Sequence, residues 1–173
     1  MTTPKTTAKP PVTSKAALPV SHSIVTMTEL VLPSHTNALD SVFGGVIMSW
    51  IDIAAAISAQ RHSKRAVVTA SIDALHFVAP VYKGWIVNLK ASVNYVARSS
   101  MEIGVRVDAE NPIEGKIFHT ASAYLTFVAL DEHGKPIEIA PLLTETPEQI
   151  RRFQEAEQRR KWRLERRKKT EQA

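Results

Sequence analysis

Residues 44–63 read GGVIMSWIDIAAAISAQRHS. Two glycines open the run, and neither Gly nor Pro interrupts it afterwards. It is too long for a strand and rich in Ala, so it predicts a helix of about four to five turns. The helix is apolar almost all round, which predicts burial on most of its sides.

Working outward, Ser23–Leu32 alternates in part and stops before Pro33, the mark of a first strand. Residues 34–40 form a polar loop leading into the helix. After the helix come four strand-like segments: Ala66–Val78, Trp85–Ala97, Met101–Glu110 and Ile117–Leu130. Val87, Leu89, Ala91, Val93 and Tyr95 alternate cleanly, as do Met101, Ile103, Val105 and Val107, so these strands each bury one face. Turn residues separate the segments, at Pro80–Gly84, Arg98–Ser100, Asn111–Gly115 and Asp131–Gly134. The order is strand, long helix, four strands. It predicts an α+β domain in which one antiparallel sheet of about five strands wraps the helix. A single helix cannot cover both faces and both edges of such a sheet, so a second copy of the chain is expected to pair with it.

The ends have a different character. Residues 1–20 are rich in Thr, Pro, Lys and Ala, without an acid or an aromatic, and are expected to be disordered. No apolar stretch follows their lysines, so a secretory signal is not expected. At the other end, Thr146 and Pro147 suit a helix start, and Ile150, Phe153 and Ala156 follow at helical spacing. Beyond Arg159 the run RRKWRLERRKK is expected to be an exposed, solvated helix. The expected division is a tail over 1–20, a domain over 21–146 and a basic helix or tail over 147–173.

The net charge of +5 belongs to that last segment. Residues 151–173 hold ten Lys/Arg against four Glu, net +6, which leaves twelve against thirteen, net −1, over residues 1–150. A domain-wide nucleic-acid surface is therefore not expected. There is no Cys, which removes thiolate metal sites, thiol nucleophiles and redox pairs and fits a reducing, cytoplasmic setting. No apolar run reaches the roughly 18 residues of a membrane-spanning helix.

Asp52 is the residue that does not fit. Met48, Ser49, Ala55 and Ala56 share its helical face, and none is basic. A carboxylate buried without a partner costs several kcal/mol. Either a neighbouring chain supplies its hydrogen bonds or the carboxylate serves chemistry. Gly44-Gly45 at the helix start leaves free N–H donors and partial positive charge open to approach, which suits a polarised carbonyl. Gly45 and Asp52 lie about 10 Å apart along the axis, at 1.5 Å per residue. If both act on one small group, Asp52 of one chain meets Gly45 of another. The six His residues show no metal-ligand spacing. The turn Arg98-Ser99-Ser100 is basic and hydroxyl-rich, either an ordinary hairpin or a phosphate contact.

The stretches PSHTNALDSVFGGVIMSWIDIAA, VVTASIDALHF, RSSMEI, TASAYLTFVALDEHGKP and PLLTETPEQIRRFQEAEQRR, in this order, resemble the hot-dog acyl-CoA thioesterases. They are similar to bacterial single-domain members and to the C-terminal repeat of the brain-type two-domain enzymes. The resemblance covers about Val25–Arg160. It implies hydrolysis of acyl-CoA to fatty acid and CoA without metal or cofactor, in a homo-oligomer of hot-dog dimers, commonly three in a hexamer. It maps Asp52 onto the helix carboxylate, as general base or nucleophile, and Gly44-Gly45 onto the carbonyl-polarising helix end. Asn37 and Thr69 match polar positions beside the thioester, and Arg98, Ser99 and Ser100 match the turn that approaches CoA. Relatives often carry Gly where Asp40 stands and Asp, Asn or Thr where Ser41 stands. A non-catalytic acyl-CoA binder on the same fold is the alternative, and an RNA-binding or scaffolding protein acting through the basic tail a more distant one.

Overall fold

The computed structural model describes residues 16–171 apart from Ala74. Eight strands and two helices follow in chain order: β1 (Leu18–Pro19), β2 (Val25–Leu30), α1 (Gly44–Ser63), β3 (Ala66–Ile72), β4 (His76–Phe77), β5 (Ile86–Val96), β6 (Ser100–Asn111), β7 (Lys116–Leu130), β8 (Leu142–Leu143) and α2 (Pro147–Glu171). The main sheet is antiparallel in the order β2-β5-β6-β7-β3, with short β4 also pairing β7. It curls around α1, the hot-dog arrangement that the sequence predicts.

Alternation sets the inner face. Val87, Leu89, Ala91 and Val93 of β5, Met101, Ile103, Val105 and Val107 of β6, and Ala123, Leu125 and Phe127 of β7 are all buried. They meet Ile47, Trp50, Ile51, Ala54, Ala55 and Ala59 of α1 in one core. The alanines let a helix lie close inside a curled sheet. The helix ends at Lys64, whose φ of 53° reverses the chain into β3. Its other side stays open: Met48 and Ile53 are 41% and 46% exposed, beside exposed Phe43, Val68 and Phe77. Burial on most sides is therefore not achieved within one chain.

Two strand boundaries depart from the sequence reading. Ala66–Val78 is not one strand. A bulge between Thr69 and Ser71 and a break after Ile72 divide it, and from Ile72 to His76 four steps oppose three on β7, Leu125 to Ser122. Asp73 sits in the break, with its amide on the Tyr124 carbonyl and its carboxylate turned to Arg163. The first strand is also shorter than Ser23–Leu32, because Val20–Ser23 forms a 3₁₀ turn before it.

The expected tail over 1–20 is ordered in its last residues. Leu18 and Pro19 pair in parallel with Leu142 and Leu143, and Val20 is buried. Ser23 Oγ ties this segment down, donating to the Val20 carbonyl and accepting the Val93 amide. A composition averaged over the whole tail hides the short apolar run that docks. Residues 1–15 lie outside the described residues.

The helix α2 starts as the sequence predicts. Thr146 Oγ1 accepts the Gln149 amide at 3.2 Å, while Gln149 Oε1 accepts the Glu145 amide. Phe153 packs on the Tyr95 ring and Ala156 is fully buried. The expected solvation beyond Arg159 fails at its first turn. Arg159 lies 3.7 Å over the Tyr124 ring and reaches Glu102 Oε1 at 2.7 Å, and Arg163 bridges Glu102 and Asp73 at 3.0 and 2.7 Å. Glu102 is 1% exposed on the outer face of β6, so a buried carboxylate pins the helix across the back of the sheet.

Candidate active site

Asp52 sits midway along α1 at the boundary between the packed and open sides, half-buried. Thr69, on edge strand β3, donates its hydroxyl to Asp52 Oδ1 at 2.8 Å. Oδ2 has no partner among the described residues, and no basic side chain compensates the carboxylate there. One oxygen is fixed and the other is uncommitted among the described residues. Two of the expected site residues, 17 positions apart in sequence, thus meet directly.

Asn37 belongs to the loop before α1. Its Oδ1 accepts the Leu39 amide at 2.9 Å, the Ser41 amide at 3.3 Å and the Ser41 hydroxyl at 3.1 Å. The oxygen is committed to the loop, which leaves the Nδ2 hydrogens as the free donors. Ser41 therefore acts by orienting Asn37. Asp40 stands at φ 55°, the left-handed region that Gly enters without strain. Its amide reaches the Asn37 carbonyl and its carboxylate meets Lys83 at 2.9 Å, so the turn forms with Asp in the position. His35 packs edge-on against Trp50 at 5.1 Å and its carbonyl accepts the Phe43 amide, which seats the loop on the helix.

At the start of α1, Phe43 provides no side-chain cap, and the first amides bonded back to its carbonyl are those of Val46 and Ile47. The Gly44 and Gly45 amides have no acceptor among the described residues. A Cβ on Gly44 would stand 3.3 Å from the Phe77 ring, whereas one on Gly45 would meet nothing within 4 Å. A side chain at Gly44 would crowd the Phe77 ring; Gly45 is open. Seven helical residues, about 10 Å of axis, separate Gly45 from Asp52. One chain does not bring them together.

The turn Arg98–Ser100 closes the β5–β6 hairpin, Ala97 donating to the Ser100 carbonyl at 2.8 Å. The Arg98 and Ser99 carbonyls accept the Ile139 and Ala129 amides, and the Arg98 side chain is exposed. Val128 pairs with Ser100 on one side and Val68 on the other. The turn thus lies level with the residue next to Thr69, two strands or about 10 Å away. It does not touch Asp52.

Sequence reasoning missed the orienting role of Ser41 and the Arg159–Glu102–Arg163 cluster. A polar residue four after Asn37 was the available sign of the first. Nothing local signals the second, since 57 residues separate Glu102 from Arg159.

The thioesterase superfamily model matches residues 39–116, a span that holds Asp52, Thr69 and the hairpin turn. The chain is 42% identical over 137 residues to the Bacillus subtilis acyl-CoA thioester hydrolase YkhA, covering 79% of this chain and 80% of that protein. It is 37% identical over 142 residues to the cytosolic acyl coenzyme A thioester hydrolase of Rattus norvegicus, of which it spans only 37%. Among solved structures, an apo-hexameric acyl-CoA thioesterase superposes with a TM-score of 0.84 at 38% identity, over 87% of this chain and 97% of that one. The Staphylococcus aureus acyl-CoA hydrolase bound to butyryl coenzyme A and coenzyme A gives a TM-score of 0.84 at 36% identity, over 90% and 95%. That enzyme has also been solved with single alanine replacements of an Asn, an Asp and a Thr. Their separations of 15 and 17 residues equal those of Asn37, Asp52 and Thr69. This chain belongs to the thioesterase superfamily, among its hot-dog acyl-CoA thioester hydrolases.

Proposed function

We propose that the protein hydrolyses fatty acyl-CoA to free fatty acid and CoA, with Asp52 as the catalytic carboxylate. The observation that carries this reading is the Asp52–Thr69 pair, a half-buried carboxylate with one oxygen fixed and the other free. Free Oδ2 takes a proton from water as that water attacks the thioester carbonyl, or itself attacks the carbonyl. In the first case the C–S bond breaks as the tetrahedral intermediate collapses, and the proton passes to the CoA sulfur. In the second, collapse of the tetrahedral intermediate breaks the C–S bond and expels CoA thiolate, which takes a proton from water, and a second water hydrolyses the mixed anhydride to fatty acid and free Asp52 carboxylate. Developing charge on the carbonyl oxygen meets the uncapped amide of Gly45 at the positive end of α1, with Gly44 shaping the approach. Asn37 Nδ2 positions water or substrate. Asp52 and water suffice for this chemistry, so no metal or cofactor is invoked.

The 10 Å between Gly45 and Asp52 assigns the two to one site only across a pair of chains. The open face of α1, with Met48 and Ile53 beside Phe43, Val68 and Phe77, is the surface on which a second copy fits. Hexameric relatives support three such dimers. The domain over 21–146 then carries the chemistry, and the basic C-terminal segment that begins at residue 147 is its appendage. Arg98, Ser99 and Ser100 approach the CoA end of the substrate. No helix among the described residues is long and apolar enough to cross a membrane, and relatives include cytosolic enzymes, which supports a cytoplasmic place.

The test is thiol release from acyl-CoAs of graded chain length, with fatty acid measured in parallel. Saturable turnover releasing thiol and acid in equal amounts is expected. Saturable binding without turnover contradicts the reading and leaves a binding protein.

A further inference from the structure

A cleft of about 550 Å³ runs between α2 and the outer face of the sheet, beginning at Ala70, the residue after Thr69 on β3. Its carboxylates are Asp73 and Glu102. Both are already met: Glu102 by Arg159 and Arg163, Asp73 by Arg163. Arg160 and Arg166 line the same wall and have no ion-pair partner among the described residues. They stand three residues either side of Arg163, a spacing at which like charges on a helix repel. Facing them are the hydroxyls of Ser71 and Ser100, with Thr126 Oγ1 buried and unpartnered in the floor. Ser100 belongs to the basic, hydroxyl-rich turn that the sequence leaves as either an ordinary hairpin or a phosphate contact. Surplus guanidinium charge on one wall and uncommitted hydroxyls on the other match the oxygens of a phosphate ester.

We propose that this cleft binds phosphate groups, with Arg160 and Arg166 as the residues that hold them. Two ligands carry that chemistry: the diphosphate end of CoA itself, which rests on the acyl-CoA reading above, and a free phosphorylated small molecule, which does not.

The test is calorimetric titration of the full-length protein with CoA and with inorganic pyrophosphate, for wild type and Arg160→Ala/Arg166→Ala. Neither side chain has an ion-pair partner among the described residues, so the variant is expected to fold, as checked by circular dichroism. Loss of two charge-assisted contacts is expected to weaken phosphate binding by about tenfold or more. If CoA affinity falls, and KM rises for acyl-CoA but not for acyl-pantetheine, the phosphates are the substrate's own. If only pyrophosphate binding falls, the cleft serves a free phosphorylated ligand. Equal binding of both probes to wild type and variant, or no binding of either to wild type, overturns the proposal. The readout is binding, so it stands or falls apart from the role of Asp52.

Discussion

The Thr69 hydroxyl donates to Asp52 Oδ1 at 2.8 Å, and this one bond leaves the other carboxylate oxygen uncommitted among the described residues. It also ties α1 to edge strand β3, so an outer strand of the sheet positions the proposed catalytic carboxylate of the central helix. A hydrogen bond to a charged group contributes about 1.5–3 kcal/mol. Thr69→Val should therefore lower kcat for acyl-CoA by roughly ten- to a hundredfold, while Thr69→Ser should retain most of it. Equal rates for the two variants would separate the bond from catalysis.

Gly45 is the open glycine, and a side chain there meets nothing inside its own chain. Gly45→Val and Asp52→Asn should each be folded and inactive. Co-assembled from equal amounts of the two chains, mixed dimers hold one site with both native groups. About a quarter of wild-type activity should return under random pairing. No recovery in assemblies shown to be mixed would place both groups in the same chain's site.

The Arg159–Glu102 pair fastens α2 to the sheet. Removing one partner of a buried ion pair costs about 3–5 kcal/mol, because the remaining charge stays buried. Arg163 still reaches Glu102, so Arg159→Met should lie near the lower end, about 3 kcal/mol by urea unfolding. A loss below 1 kcal/mol would show that the pair is solvated in solution.

Burial holds the His62 imidazole below its ordinary value of 6.5, against the opposing hydrogen bond to the Ala140 carbonyl. The unfolded chain then binds a proton that the folded chain refuses. Stability from this group is complete above pH 6.5 and is lost as the pH falls below it. His62→Gln keeps a donor for Ala140 and cannot titrate, so its melting temperature should fall less between pH 8 and pH 5.5 than that of wild type. Parallel curves would remove His62 from the acid dependence.

Most of the fold was legible because two periodicities are clean. The unbroken run from Gly44 can only be a helix, and Val87 to Val93 and Met101 to Val107 alternate without error. The site was legible in part. Asp52 stands out because it contradicts its surroundings, and Thr69 entered through family resemblance alone, before the structure placed it against Asp52. What stayed hidden depends on contacts between distant residues. Arg159 and Arg163 look like solvated charge until Glu102, an acid that fits the polar outer-face pattern of β6, is seen beneath them. The break at Asp73 stays hidden for the same reason, since its partners are Tyr124 and Arg163. Docking of Leu18 and Pro19 depends on Leu142 and Leu143, more than a hundred residues on.

The central claim is that Asp52 performs the chemistry. The measurement that tests it is the kcat of Asp52→Asn against wild type on one acyl-CoA, with CoA affinity determined alongside as a control for the fold. Unchanged affinity and a rate at least about a hundredfold lower are expected, the scale of lost acid–base catalysis. Turnover equal to wild type at equal CoA affinity would contradict it.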